Sequence, residues 1–568
     1  MRIRYALAGL LAAAIVTALV AALPQGAVAA TLTVDTLSAA DNNADGDCSL
    51  REAIIAANND ADYNECDGTS FGNDTITFSV SGTVALSGTG ALPAVTDADG
   101  LTIDGGGVIT IDAGNASRIF AVNAGASLTL QDLGIQQGVV TGDGGLIHNA
   151  GTLVVSGSTL QGGLASTGRG GGIFNASTGS LTITNSTIGP NQASGNGGGG
   201  IYNAETSGTG GTVSISDSLF TGNAATPSGN GGAIRTDGGT VTINDTTFTN
   251  TNQAGANGGA IASLANATGS VTITNSTIAG SFATSSGGAI YNQNPLTIVN
   301  STISGNSTGS SGVGGGIYNF SGTVKVSFST IAGNQAGSTA GSGGNLLTEL
   351  GATTNVKNSI LAAGSPENCA GGGTLTDSSG NMDTDDSCGT FAFITSVQLN
   401  LQALASNGGP TQTRALGAGS VAIDQAPNCT DIDGATVVTD QRGAGFPRPA
   451  DGNGDTTADC DIGAFEVQPA TGGTPTATAT STATQPSGQP TNTPTRTPTR
   501  TPTRTPTATA TSPAATAVSH QGSTGGAVAA IIAALAQQAE DNRPATADPR
   551  AAPSGAIVPP STGDAGIR

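Results

Sequence analysis

Charge is scarce in this 568-residue chain: Asp, Glu, Lys and Arg together make up 10%, and lysine occurs only as Lys325 and Lys357. Nucleic-acid binding depends on clustered Lys and Arg against phosphate, so a formal charge of -22 argues against such a partner. Tryptophan is absent, aromatics reach only 3%, and glycine occurs 88 times, a balance unlike that of an ordinary globular enzyme and one that points to repetition. No Cys-x-x-Cys pair occurs, which removes the usual zinc and dithiol redox spacings. Past the N-terminus long apolar runs are also missing. The best later one, Ala527 to Ala536, is far shorter than the ~20 residues that span a bilayer.

The first 29 residues carry Met1-Arg-Ile-Arg, an apolar stretch from Ala6 to Leu23, and Ala27-Val28-Ala29. This is the layout of a secretory signal, so the mature chain is expected to begin near Ala30, without a transmembrane segment, and to be secreted or held at the cell surface. The six cysteines then suit disulfides, and their spacing in sequence predicts the local pairs Cys48 with Cys66, Cys369 with Cys388, and Cys429 with Cys460.

One block recurs through the middle of the chain: Leu153 to Leu160, Leu181-Thr-Ile-Thr-Asn-Ser-Thr-Ile188, Val213 to Phe220, Val241 to Phe248, Val271 to Ile278, Leu296 to Ile303, Val324 to Ile331 and Thr354 to Leu361. The last residues step by 28, 32, 28, 30, 25, 28 and 30. A second block, centred on Ile147, Ile173, Ile201, Ile234, Ile261, Ile290, Ile317 and Leu346, keeps the same period and follows Gly-Gly-x each time. Two blocks sharing one period mean one structural unit. Leu-Thr-Ile-Thr alternates with period two and is β-branched, so each unit holds short strands with Leu and Ile inward. The expected fold is all-β: a right-handed parallel β-helix whose turns stack ~4.8 Å apart as a monomeric rod.

Asparagine supplies an independent register. Asn149, Asn175, Asn203, Asn292 and Asn319 follow the Ile blocks, Asn185, Asn275, Asn300 and Asn358 hold the fifth position of the strand block, and Asn191, Asn223, Asn306 and Asn334 lie three residues past its end. Asn tolerates left-handed backbone and can bond to its copy one turn away, so these positions read as stacked corners.

Two flanking segments resemble known families. Asp47-Cys48-Ser49-Leu50-Arg51-Glu52-Ala53 resembles the CSLREA domain of exported bacterial β-helix proteins. Leu401 to Thr413, Ala422-Ile423-Asp424, Asp440-Gln441-Arg442-Gly443 and Cys460-Asp-Ile-Gly-Ala-Phe-Glu466 resemble the choice-of-anchor Q domain, and Gly-Gly-x-Ile with Thr221-Gly222-Asn223 is similar to polymorphic outer membrane protein repeats. The resemblance implies a pectin-lyase-like solenoid with small capping regions, surface location and an adhesive role, and carries no catalytic residues. The expected organisation is a signal at 1–29, an N-terminal cap at 30–75, repeats at 76–368, a C-terminal cap at 369–467 closing the last turn, a disordered Thr/Pro-rich stalk at 468–519 and a low-complexity tail at 520–568.

Polysaccharide hydrolases of this fold carry Gly-His-Gly and Arg-Ile-Lys motifs, and neither occurs here. Asp217 and Asp245 share one ladder position in consecutive turns, about 5 Å apart, which suits either a glycosidase pair or two Asp substitutions in an Asn ladder. His148, Phe174, Tyr202, Tyr291 and Tyr318 each follow an inward Ile and so should point outward on one face, as a ring platform for an extracellular glycan or surface protein or as a stabilising ladder; Arg235 and Ala262 interrupt it. No cofactor is required, but calcium is possible at Asp41, Asn43, Asp45, Asp47 and Glu52, which match a twelve-residue oxygen-ligand loop and equally a turn capping a helix. The run Asp451, Asn453, Asp455, Asp459 and Asp461 is a second such segment. The expected function is adhesion, surface display or ligand binding without catalysis, with a carbohydrate-active enzyme as the alternative.

Overall fold

Alternation along the strand block places Leu181 and Ile183 in the core while Thr182 and Thr184 stay partly open, because successive side chains of a strand point to opposite faces. Every later copy lies in register on the one before it, Leu181 against Val213, Val213 against Val241 and Val241 against Val271, all parallel. The second block stacks the same way: Ile147, Ile173, Ile201, Ile234, Ile261, Ile290, Ile317 and Leu346 form one inward column in a 10-stranded parallel sheet. The computed structural model, which describes residues 30–469 except 43–44, 69–71, 250–251 and 265–268, is therefore a parallel β-solenoid of about 10 turns. The expected signal and tail, and the stalk from residue 470 on, fall outside the described residues.

Corners are solved by side-chain amides. Asn149 donates to Asn175 at 2.7 Å and Asn175 to Asn203 at 2.8 Å, all three fully buried, and Asn191 to Asn223, Asn306 to Asn334 and Asn345 to Asn368 form a second buried ladder. The third asparagine set differs in kind. Asn185, Asn275, Asn300 and Asn358 sit outward in left-handed backbone with φ of 48° to 50°, together with Asp132, Asp217, Asp245 and Phe328 in the same column. Directly after that corner runs a further ladder: the backbone N–H of Ser158, Ser276, Ser301 and Ser329 donates to the hydroxyl of Ser186, Ser301, Ser329 and Ser359 one turn on. A small hydroxyl there satisfies a donor that the bend pulls out of the sheet.

Replacing Asn175 by alanine is expected to cost about 1–3 kcal/mol, since it removes the acceptor of one Asn149 amide N–H and the donor to the carbonyls of Gly179 and Thr212 in a dry corner. Chemical denaturation would check this. A change under about 0.5 kcal/mol would mean that the ladder is decorative.

Both ends depart from the expected boundaries. Thr31–Val34 already forms a rung, pairing in parallel with Asp74–Phe78, so the solenoid starts inside the segment assigned to the cap. The helix Leu50–Asn59 covers that rung, burying Leu50, Ala53, Ile54, Ala56 and Ala57 against Leu32 and Ile76. At the other end Cys369, Cys388 and Phe391 join the main core, and strands through Ala392–Phe393 extend it. The remainder does not close the last turn as expected. It folds back as a lobe against the side of the solenoid, with a separate core in which Phe328 and Ile360 meet Leu399, Ala422, Val437 and Ile462. All three disulfides join the expected pairs: Cys48 to Cys66, Cys369 to Cys388 and Cys429 to Cys460.

Candidate functional site

The outward corner column and the residue two places beyond it make a continuous flank. Its members after the corner are Thr187, Leu219, Thr247, Thr277, Thr302, Thr330 and Ile360, each stacked on the next. The lobe occupies the upper part of this flank, from Asn275 onward. Thr411 donates to the Asn275 carbonyl at 2.9 Å, and Thr277 donates to the Gln412 carbonyl at 2.5 Å. Gln441, fully buried, accepts from Thr302 at 2.6 Å and donates to Thr277 at 2.9 Å, while Asn300 and Asn358 donate to the carbonyls of Thr439 and Asn428. Lys325 and Lys357 are spent here too, on Asp433 and on Thr430 with the Asp431 carbonyl.

Below the lobe the flank is open. A groove of about 540 Å³ is lined by Asn185, Thr187, Asp217, Leu219, Asp245 and Thr247 and bounded above by Pro410. Asp217 and Asp245 thus do come together in one site, as their shared register implied. Both hold left-handed backbone, φ 50° and 46°, which Asp and Asn tolerate best among residues with a Cβ. Burial, and then the Asp217 charge beside it, push the Asp245 carboxyl above the ordinary carboxylate value; Asn244 and Asn275 partly offset this by hydrogen bonding. Among the described residues the lining contains no Lys, Arg or His.

The ring platform needs correction. His148, Phe174 and Tyr202 are in register, stacked at 5.0 and 5.6 Å, but Phe174 and Tyr202 are 6% and 2% exposed. Arg169 lies over both rings, paired with Asp143 at 2.6 Å. Arg235 continues the column instead of breaking it, covering Tyr202 and pairing with Asp237, which also accepts the Tyr202 hydroxyl. Tyr291 and Tyr318, each 8% exposed, pack with Phe320, and Tyr318 donates to Glu349. Outward from the solenoid core is therefore not outward to solvent: guanidinium planes cover Phe174 and Tyr202, and Leu347, Leu264, Val313 and Phe320 pack on Tyr291 and Tyr318.

At the proposed calcium loop, Glu52 completes a capping box. Its oxygens accept from the backbone N–H of Ser49 and Asn42 and from Asn64, and these hydrogen bonds hold its carboxyl below the ordinary value although burial opposes them. Asp45 accepts from the Asp47 N–H and from Asn42, and Asp41 from Tyr63; Asn43 lies outside the described residues. In the second run Asp451 accepts the N–H groups of Gly454 and Thr456, and Asp455 that of Thr457. Among the described residues no group of three or more His, Cys, Asp and Glu is gathered as a metal site would gather them.

No family profile matches the chain, and no curated protein matches it in sequence. Among solved structures it is similar to pectate lyase Pel9A, at 15% identity and a TM-score of 0.38, over 78% of this chain and 97% of that one. The likeness is one of backbone course.

Sequence reading missed the lobe's buried charges. Arg448 is fully buried, donates to the carbonyls of Asp461 and Gly463, and lies 3.3 Å from Glu466 and 4.3 Å from the Phe328 ring. Burial pushes the Glu466 carboxyl up to about 8 and Asp461 up to about 6 against the pull of Arg448. Arg442 pairs with Asp440 and stacks between Phe446 and Phe465. These residues lie in or beside the Asp440-Gln-Arg-Gly and Cys460-to-Glu466 motifs, so the motifs read as a lobe-building core. One signal for the docking was visible: Phe328 stands where the column otherwise carries Asn, Asp or, at Gly157, glycine.

Proposed function

We propose that this protein is a non-catalytic extracellular β-helix acting in adhesion, surface display or ligand binding, with the open flank as its binding face. The supporting observation is the makeup of the groove: two carboxylates, hydroxyls and the Asn185 amide, with no Lys, Arg or His among the described lining residues to steady a developing negative charge. The Arg and Lys residues between Ala121 and Asn368 are committed elsewhere, Arg169 and Arg235 to aromatic stacks and Lys325 and Lys357 to the lobe. The resemblance of the flanking segments to CSLREA and choice-of-anchor Q domains, and the secretory signal layout, agree with a surface location.

The second reading, a carbohydrate-active enzyme, rests on Asp245, whose raised carboxyl beside Asp217 is what an acid and its partner need. Incubation with a broad panel of polysaccharides separates the two. The expected result is retention of glycan or surface protein without release of unsaturated or reducing ends. Release that disappears in Asp217→Asn and Asp245→Asn variants would establish the enzyme instead.

A further inference from the structure

The lobe shows what the flank can hold. It meets the solenoid one rung at a time: Thr411 and Gln412 at Asn275 and Thr277, Thr439 and Gln441 at Asn300 and Thr302, Gly463 and Ala464 at Asn358 and Thr330. In each case corner amides or hydroxyls of the solenoid exchange hydrogen bonds with irregular backbone, so the partner there is polypeptide that needs no regular structure of its own. The same two columns continue without a break below Pro410 as Asn185 and Thr187, Asp217 and Leu219, Asp245 and Thr247.

We propose that this uncovered stretch, from Asn185 to Thr247, docks a cationic segment of a partner protein. The change of residue type decides the chemistry. Where the lobe is held, Asn300 and Asn358 donate to backbone carbonyls; at the equivalent places Asp217 and Asp245 only accept, so a ligand there must present N–H groups or a Lys or Arg. The described lining holds no cation to neutralise the pair, and the two charges sit on neighbouring rungs, so a basic side chain bridging them gains from both. Asp217 is exposed and Asp245 half-buried, open to a partner arriving from solvent. The site adjoins an interface that already exists in the molecule, and a ligand would extend that interface past the Pro410 edge.

The inference rests on the binding reading above, but the two fail separately, since turnover is read from released glycan ends and docking from peptide binding. The test uses the full secreted chain and a fluorescent peptide of alternating lysine and threonine, followed by anisotropy at low and at physiological salt. A glutamate–threonine peptide serves as the charge control and neutral oligosaccharides as competitors. The expected result is binding of the basic peptide alone, weakened by salt, and about tenfold weaker in the Asp217→Asn, Asp245→Asn double variant. Asparagine already fills this corner in other turns, so the variant keeps the backbone, and unchanged thermal unfolding would verify it. Equal binding by wild type and variant, no binding of the basic peptide, or displacement by a neutral oligosaccharide would each overturn the proposal.

Discussion

Gly259→Ala is expected to lower the stability of the solenoid by at least about 3 kcal/mol, the loss being far larger than an exposed glycine substitution gives. The second glycine of each Gly-Gly-x block lies where consecutive turns touch backbone to backbone. A Cβ on Gly259 would stand 2.1 Å from the Gly288 carbonyl oxygen and 2.7 Å from backbone atoms of Phe282, both fixed parts of the next turn. Gly232 and Gly288 would meet their neighbours at 2.2 Å in the same way, so relaxation at one rung pushes on the next. In a stack held by nearest-neighbour contacts, a displaced interior rung weakens the interfaces above and below it. Gly305→Ala is the control. Its φ of +69° costs about 1–2 kcal/mol, but nothing stands within 4 Å of the added methyl. Urea denaturation of the two variants should separate them clearly, and equal midpoints would show that the close approach does not constrain the stack.

The second large effect is expected at Arg448→Met, which should cost about 3–5 kcal/mol and loosen the lobe from the flank. Arg448 and Glu466 have no exposed side-chain surface, so removing the cation takes a buried donor from the Asp461 and Gly463 carbonyls and, once Glu466 has lost its proton, leaves a carboxylate with neither water nor countercharge. The loss should depend on pH in a defined sense. Glu466 has a folded value of about 8 against an ordinary 4.5, so between these the folded lobe retains a proton that the unfolded chain has given up, and this contribution to stability falls as pH rises through that window. Without Arg448 nothing opposes burial, so the folded value rises further and the fall continues above pH 8, where wild type levels off. Limited proteolysis at pH 6 and pH 9.5 would read this out: Arg448→Met should release the lobe faster than wild type at pH 6 and by a clearly wider margin at pH 9.5. Equal loss at both would place the effect in lost packing against Phe328 instead.

Much of the candidate site was legible because it repeats. Asp217 and Asp245 belong to a column that Asn185 and Asn275 define on either side, and counting rungs was enough to place them together. The aromatic column was equally legible in register and misread in exposure. Which residues follow an inward Ile is a matter of alternation, whereas the cover over Phe174 and Tyr202 comes from Arg169 and Arg235, which alternation does not report. Glu52 was ambiguous for another reason: a carboxylate three residues into a helix suits a capping box and a cation loop alike, and only its partners distinguish them.

By itself the sequence determined the solenoid, its period, its inward residues, its buried amide ladders and its cysteine pairs. Each of these follows from a requirement that is local to one turn and repeated in the next, so that chemical pattern and geometry have the same period. Tertiary structure alone decided where the C-terminal lobe lies, and with it the groove's upper edge at Pro410. That choice depends on contacts such as Asn300 with Thr439, 139 residues apart, made once and between unlike segments, and no periodic signal constrains a contact of that kind.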